Sequence, residues 1–296
     1  MAQVDTSILD HATGRAAELA KAHAPEHPLK LYSGWFCPFV QRAWMVLEEK
    51  RIPYQYMEIN PYHKSPEFLA LNPRGLVPTL AVPRPAAGGG QQGQEPKPLY
   101  ESTVICEYLD ETFADEAVHG PSLMPRDPYE RARCRIWIDH IAKKVVPGFY
   151  KLLQHTPEKP YSLDEARREL HDGIEALVRE MAPAEGDGST GDVGPWFLGD
   201  RFSLVDVSLA PWAKRLWLID HYKAGGVGIP VEGAQEGGGG SVWRRWRIWH
   251  DAIVSRPCVV NTWSDEQSYV DVYKRYARDT TNSLVGQATR KGGTLP

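Results

Sequence analysis

Cys37 joins two unlike runs of sequence. The residues before it, Leu29-Lys30-Leu31-Tyr32-Ser33-Gly34-Trp35-Phe36, have strand character that breaks at a glycine. The residues after it, Pro38-Phe39-Val40-Gln41-Arg42-Ala43-Trp44-Met45-Val46-Leu47, are helical, with Val40, Ala43, Trp44 and Leu47 on one face. Pro38 suits a first helical position, where its missing N–H costs nothing. Cys37 is thereby placed at the N-cap, its sulfur facing unpaired backbone N–H groups and the positive end of a helix dipole. A thiol so placed ionises more readily, from about 8.5 into the range of roughly 3.5–7.5. Position alone leaves a second reading open, a half-buried thiol that merely opens a helix. Among the other cysteines, Cys106 and Cys258 lie in apolar runs and read as inert core thiols. Cys134 lies among Arg131, Arg133 and Arg135, which would lower its pKa if it were exposed. Four scattered cysteines make neither a disulfide framework nor a zinc site, and no metal is expected.

The elements that must hold Cys37 alternate over residues 28–112. Strands are expected at 29–32, 54–59, 79–82 and 98–100, with helices at 38–50, 65–71 and 102–112. Ser102 serves as the cap of the last helix. Residues 83–97, rich in Gly, Gln and Pro, read as the enlarged tip of a hairpin lying away from the thiol. Residues 1–27 form an extension with a short amphipathic helix around 8–22. Residues 122–270 are helical throughout. Asp127-Pro128 opens a helix that Pro147 should kink or end, and another covers 163–181. Ser203 and Asp206 resemble a capping box, with Phe202 and Val207 as its staple, and that helix continues to Ile219. Trp243, Trp246 and Trp249 recur on a last helix, so Arg244, Arg245 and Arg247 fall mainly on its solvent face. Gly-rich stretches at 183–195 and 224–241 read as flexible loops. Residues 271–296 read as a polar, loosely held tail.

The chain has 296 residues, 42% of them hydrophobic, which is enough for two ordinary domains with real cores. A net charge of −4 makes no general case for nucleic acid or anionic membrane as a partner. No apolar stretch approaches the ~20 residues that span a bilayer. Residues 1–27 lack an apolar h-region and read as neither signal nor transit peptide, so a cytoplasmic location is expected.

Three motifs in order carry a family resemblance: Phe36-Cys37-Pro38-Phe39, then Asn72-Pro73-Arg74-Gly75-Leu76-Val77-Pro78-Thr79-Leu80, then Tyr100-Glu101-Ser102. Together they resemble cytosolic glutathione transferases, and the Cys-Pro-Phe form resembles the omega class. Leu47-Glu48-Glu49-Lys50 before Pro53-Tyr54 is also similar to plant dehydroascorbate reductases. The resemblance implies an α/β thioredoxin-like N-terminal domain followed by an all-α C-terminal helical domain. It implies glutathione as co-substrate and a homodimer. Pro78 would be cis, so that Val77, next to Leu76, offers its backbone to the cysteinyl unit of glutathione. Glu101 would take the γ-glutamyl ammonium and Ser102, with the helix-start N–H groups, its carboxylate. Phe39 matches a residue lining the same site. Omega members place a lysine where Ser65 stands here, so the glycyl carboxylate would fall to Lys64 one position earlier.

A cysteine at this position does thiol–disulfide chemistry. The second position of a dithiol motif is Val40, so a second glutathione must resolve any adduct on Cys37. The implied activities are thioltransfer, dehydroascorbate reduction and deglutathionylation, with a small electrophilic, disulfide or glutathionylated partner. Pro211-Trp212-Ala213-Lys214-Arg215-Leu216 resembles an omega helix, which makes Trp212, Lys214, Arg215 and Trp249 candidates for the second-substrate pocket. Tyr32 belongs to its strand and reads as core rather than as a competing catalytic group. Two alternatives share the fold: a pathway-specific glutathione lyase or etherase, and a chloride-intracellular-channel-like protein, suggested by Gln41-Arg42 after the Cys-Pro-Phe stretch.

Overall fold

The computed structural model describes residues 8–84, 94–183, 194–230 and 240–295. In chain order the elements are α1 (Gly14–Ala22), β1 (Lys30–Ser33), α2 (Pro38–Glu49), β2 (Gln55–Glu58), α3 (Pro66–Leu71), β3 (Thr79–Arg84), β4 (Gln94–Leu99), α4 (Ser102–Thr112) and α5 (Glu116–His119). There follow α6 (Pro128–His140), a π-helical turn (Ile141–Val145), α7 (Val146–Leu153), α8 (Leu163–Val178), α9 (Leu204–Ala213), α10 (Trp217–Tyr222), α11 (Gly240–Ser255), α12 (Pro257–Asn261), α13 (Glu266–Ala277) and α14 (Leu284–Lys291). The chain divides into two compact units.

One unit holds Ile8–Ser122 together with Pro257–Tyr269. Its sheet has the order β2-β1-β3-β4, with β1 parallel to β2 and antiparallel to β3, and β3 antiparallel to β4. This is the mixed sheet with flanking helices that the thioredoxin-like expectation requires. The strand directions bring the C-terminal end of β1, the N-terminal end of β3 and the C-terminal end of β4 to one edge. The apolar face of α2 is buried at Val40, Ala43, Trp44 and Leu47, as its periodicity predicts. Arg42 and Gln41 are also buried there, and Gln41 donates its amide to Thr262 Oγ1 at 3.1 Å. A buried pair, Lys50 Nζ to Asp110 Oδ1 at 2.8 Å, joins the end of α2 to α4. The expected helix over 8–22 is shorter. Gly14 has φ +54°, which a right-handed helix does not propagate, and any side chain there would run into Asp265.

The helical unit holds the described residues of 123–256 and those from Val270 on. Pro147 does not end its helix. The π turn over Ile141–Val145 widens the coil just before the proline, and Ile141 and Val146 keep right-handed dihedrals, so α6 passes into α7. The helix from Leu204 does stop short of Ile219: bonds of the i→i+3 type at Leu216 and Leu218 separate α9 from α10. The capping box forms. Asp206 Oδ2 accepts from the Ser203 amide at 2.8 Å and the Ser203 hydroxyl at 2.7 Å. Its Oδ1 accepts from the Phe197 amide at 2.9 Å and the Trp249 indole at 2.8 Å.

Three further expectations need correcting or bounding. Arg245 is not on a solvent face: it is 5% exposed and donates to the carbonyls of Ala182, Pro195 and Trp196. The segment after Asp271 is not a loose tail. Val272, Tyr273 and Tyr276 are buried on α13, and Arg290 on α14 binds Asp279 Oδ1 at 3.0 Å and Thr281 O at 2.7 Å. The loop readings fall largely outside the described residues, at 85–93, 184–193 and 231–239.

Candidate functional site

Cys37 is the N-cap of α2, with extended dihedrals of −77° and 119° and Pro38 at the first helical position, as its sequence context predicts. Its amide donates to Gly34 O at 2.8 Å, closing a turn between β1 and α2. The thiol is half-buried and points to the carbonyl of Val77, with Sγ 4.0 Å from the oxygen. The other three cysteines are buried. Burial pushes Cys106 up to about 12, and pushes Cys134 up to about 11 against the pull of Arg133. The condition for a reactive Cys134, exposure, is therefore not met.

Val77 belongs to a loop that Asn72 builds. Asn72 is 1% exposed; its side-chain amide donates to Leu76 O at 3.2 Å and Thr79 Oγ1 at 2.8 Å, and its Oδ1 accepts from the Arg74 amide at 3.1 Å. Gly75, at φ +61°, turns the chain between them. The Val77–Pro78 peptide is cis, as the resemblance implies. Leu76 and Val77 are half-buried and Pro78 is buried. The methyl of Val77 also lies against Gly34, so the loop and the Cys37 turn are neighbours.

At the start of α4 the structure differs in detail from the sequence reading. Glu101, not Ser102, is the N-cap, and its φ of +69° is a left-handed conformation that costs a non-glycine residue energy. Ser102 is the first helical residue, 7% exposed, and its hydroxyl accepts from Arg42 Nη1 at 3.3 Å. Arg42 also lies over the Phe39 ring, 5.6 Å from its centroid. The Glu101 carboxylate meets Arg74 Nη1 at 2.7 Å, and the Arg74 guanidinium stacks over Tyr100.

Ser65 caps α3 by accepting from the Phe68 amide at 3.2 Å, so its hydroxyl is committed. Lys64 is half-buried and its ammonium lies over Gly75: a Cβ built on that glycine would stand 3.1 Å from Nζ. Lys64 therefore reaches the Asn72–Pro78 loop, and Ser65 does not need to. Tyr32 is only half-buried, with its ring against Phe68, and burial raises its pKa.

One edge of one unit thus gathers Cys37, Phe39, Lys64, Leu76, Val77, Pro78, Glu101 and Ser102. Arg42, Asn72 and Arg74 join them. Arg42 and Asn72 are polar residues in otherwise apolar or motif context, and only contact across the fold shows their use. Trp212, Arg215 and Trp249 belong to the helical unit and are 1%, 0% and 0% exposed. Trp249 spends its indole N–H on Asp206, and Arg215 donates to Pro211 O at 2.7 Å. Among the described residues no cluster of His, Cys, Asp and Glu has the makings of a metal site.

The sequence pattern of the glutathione S-transferase N-terminal domain matches residues 36–112, and that of the C-terminal domain residues 160–252. A glutathione S-transferase omega-1 from Sus scrofa is 33% identical over 70% of this chain and 77% of its own length. A pyrimidodiazepine synthase from Drosophila melanogaster is 32% identical over 64% of this chain and 66% of its own. Among solved structures, glutathione transferase Omega 3C from Trametes versicolor has 37% identity and a TM-score of 0.71, covering 92% of this chain and 100% of that one. With the mixed sheet, the cis-proline loop and the cysteine at the start of α2, these likenesses establish that the chain belongs to the glutathione transferase family, as an omega-like member.

Proposed function

We propose that the protein is a glutathione-dependent thiol transferase and reductase with Cys37 as nucleophile. The observation that carries this reading is the half-buried thiol at the N-terminus of α2, facing the Val77 carbonyl, while the other cysteines are buried. The Cys37 thiolate attacks the glutathionyl sulfur of a mixed disulfide. The old S–S bond breaks, the substrate leaves as a thiolate that takes a proton, and Cys37 holds the glutathionyl group. A second glutathione, as thiolate, then attacks that adduct, releasing oxidised glutathione and restoring Cys37. The absence of a cysteine at Val40 supports this monothiol route.

In this reading glutathione lies along the edge already described. Val77, beside Leu76 and ahead of Pro78, pairs with its cysteinyl backbone. Ser102 and the first amides of α4 take the γ-glutamyl carboxylate, and Glu101 takes the ammonium. Lys64 meets the glycyl carboxylate, and Phe39 covers one side. We also read the protein as cytoplasmic and homodimeric. Leu69, Tyr100 and Val104 are exposed apolar residues of the glutathione-binding unit, which supports self-association. Among the described residues no helix is long and apolar enough to cross a membrane.

A second reading, an enzyme dedicated to one metabolite's glutathione adduct, is favoured by the relative named as a pyrimidodiazepine synthase. The deciding experiment is a substrate panel with glutathione: a mixed disulfide, dehydroascorbate and an aryl halide, each with the wild type and Cys37→Ser. Turnover of the first two, abolished in the variant, supports the proposal. Fast aryl halide conjugation that survives in Cys37→Ser refutes it.

A further inference from the structure

The turn that aims Cys37 is itself held by a carboxylate outside the glutathione motifs. Within the Gly34–Cys37 turn, Trp35 is 2% exposed and both its donors are engaged. Its indole N–H donates to Leu9 O at 2.8 Å, and its amide donates to Glu58 Oε1 at 2.9 Å. Its ring stands edge-on to Phe36 and Tyr269. Glu58 ends the edge strand β2, in register with Ser33 of β1. Its other oxygen, Oε2, accepts from the Tyr56 hydroxyl at 2.8 Å, and Tyr56 in turn accepts from the Ser33 hydroxyl at 2.9 Å. One carboxylate therefore grips the turn at Trp35 directly and at Ser33 through Tyr56. Strand pairing does not need it, since the β1–β2 ladder is made by backbone.

A carboxylate in this place is costly. Desolvation pushes Glu58 up to about 7 in spite of its two hydrogen bonds. The titratable groups facing it are Tyr56 on its own strand and Asp10 and His11 in the segment before α1, with Tyr269 behind Tyr56.

We propose that Glu58 is the positioning residue for Cys37, fixing the Gly34–Cys37 turn through the Trp35 amide and so setting the aim of the sulfur towards Val77. When ionised, both its oxygens accept. On protonation from solvent, Oε2–H donates to the Tyr56 oxygen, the Tyr56 hydroxyl turns to Ser33 Oγ, and Trp35 keeps only a neutral acceptor. A bond to an ionised acceptor is roughly twice as strong as one to a neutral acceptor, so the turn tightens as pH rises. Glu58 touches no substrate in this scheme; it acts through the turn. The inference rests on Cys37 being the nucleophile.

The test uses the full chain as wild type, Glu58→Ala and Glu58→Gln. The readouts are the iodoacetamide labelling rate of Cys37 from pH 5.5 to 9 and hydrogen exchange of the Trp35 amide by NMR, taken as the protection factor after division by the intrinsic, base-catalysed rate at each pH. Glu58→Ala should slow plateau labelling about tenfold and speed Trp35 exchange by at least that factor. Glu58→Gln keeps an oxygen for Trp35 and should restore most of the rate, without the change in exchange that the wild type shows near pH 7. Labelling and exchange equal to wild type in both variants overturn the proposal, and so does a Gln variant as slow as Ala. Where Glu58→Ala does not fold, the near-isosteric Gln variant and the wild-type exchange profile decide alone: a profile flat through pH 7 overturns it. If Cys37→Ser retains turnover, the proposed activity fails, while labelling and exchange still report on the turn.

Discussion

Arg74 Nη1 lies 2.7 Å from Glu101 Oε1, so the carboxylate expected to receive the ammonium of glutathione already has a cationic partner. Both side chains are about half exposed, and such a pair contributes about 0–1 kcal/mol. An arriving ammonium can therefore displace the guanidinium at little cost. Glu101→Gln should weaken glutathione binding about 5- to 10-fold by calorimetry, and Arg74→Gln less than threefold. Equal losses in the two variants would make Arg74 a ligand in its own right.

Cys37→Ser should abolish reduction of a mixed disulfide while leaving the melting temperature within a few degrees of wild type. The rate of alkylation of the wild type against pH should inflect well below the free-thiol value of about 8.5, because Cys37 is the N-cap residue of α2, at the positive end of its dipole. An inflection at or above that value would remove the helix-terminus argument.

The Ser102 hydroxyl oxygen accepts from Arg42 Nη1, which leaves its proton to donate, and its amide stands at the start of α4. Ser102→Ala should weaken glutathione by about 1–3 kcal/mol, the loss for a bond to a charged group. Unchanged affinity by calorimetry would assign the substrate carboxylate to backbone alone.

Glu58 also makes a stability prediction with a definite sign. Its folded value is raised from 4.5 to about 7, so the folded chain holds a proton that the unfolded chain releases in that window. Stability then falls as pH rises through the window, and the loss is complete above it. Glu58→Gln removes this dependence. In urea titrations the variant should gain on the wild type between pH 5 and 8 by about 1–3 kcal/mol. The residue proposed to position Cys37 thus lowers the stability of the fold at neutral pH.

Asp206 accepts four hydrogen bonds while 1% exposed. Asp206→Ala leaves the Trp249 indole and two amides without that acceptor in the core of the helical unit. It should destabilise the protein by about 3–5 kcal/mol, read as a large fall in the denaturant midpoint.

Local pattern reached the site where local rules decide the structure. The apolar stripe of α2 and Pro38 placed Cys37 at an N-cap, and the Ser203–Asp206 spacing gave a capping box before any fold was known. It failed where a contact across the fold decides. Ser102 reads as a cap because serine is a common one; the left-handed φ of Glu101, which moves the helix start, has no signature in a glutamate. Arg245 belongs by periodicity to a solvent face and is instead drawn inward by three backbone carbonyls near the 183–195 segment. Glu58 looks like an ordinary exposed strand-end residue until Trp35 is folded over it. Tyr269, Tyr273 and Tyr276 recur at helical spacing, but the polar residues between them hid the pattern, and 271–296 read as a loose tail.

The unit that carries Cys37 is closed by residues from near the other end of the chain. Gln41 on α2 needs Thr262, the Ala16 amide donates to Trp263 O, and the Thr13 amide takes Ser264 Oγ. During synthesis the ribosome delivers the first 122 residues long before Pro257–Tyr269 emerge. The Cys37 turn, with Trp35 lacking Tyr269, must wait until that later segment has been made. A nascent chain arrested in the helical unit would carry all three motifs around Cys37 and still present an unfinished turn, which delays any chemistry there until Pro257–Tyr269 have emerged.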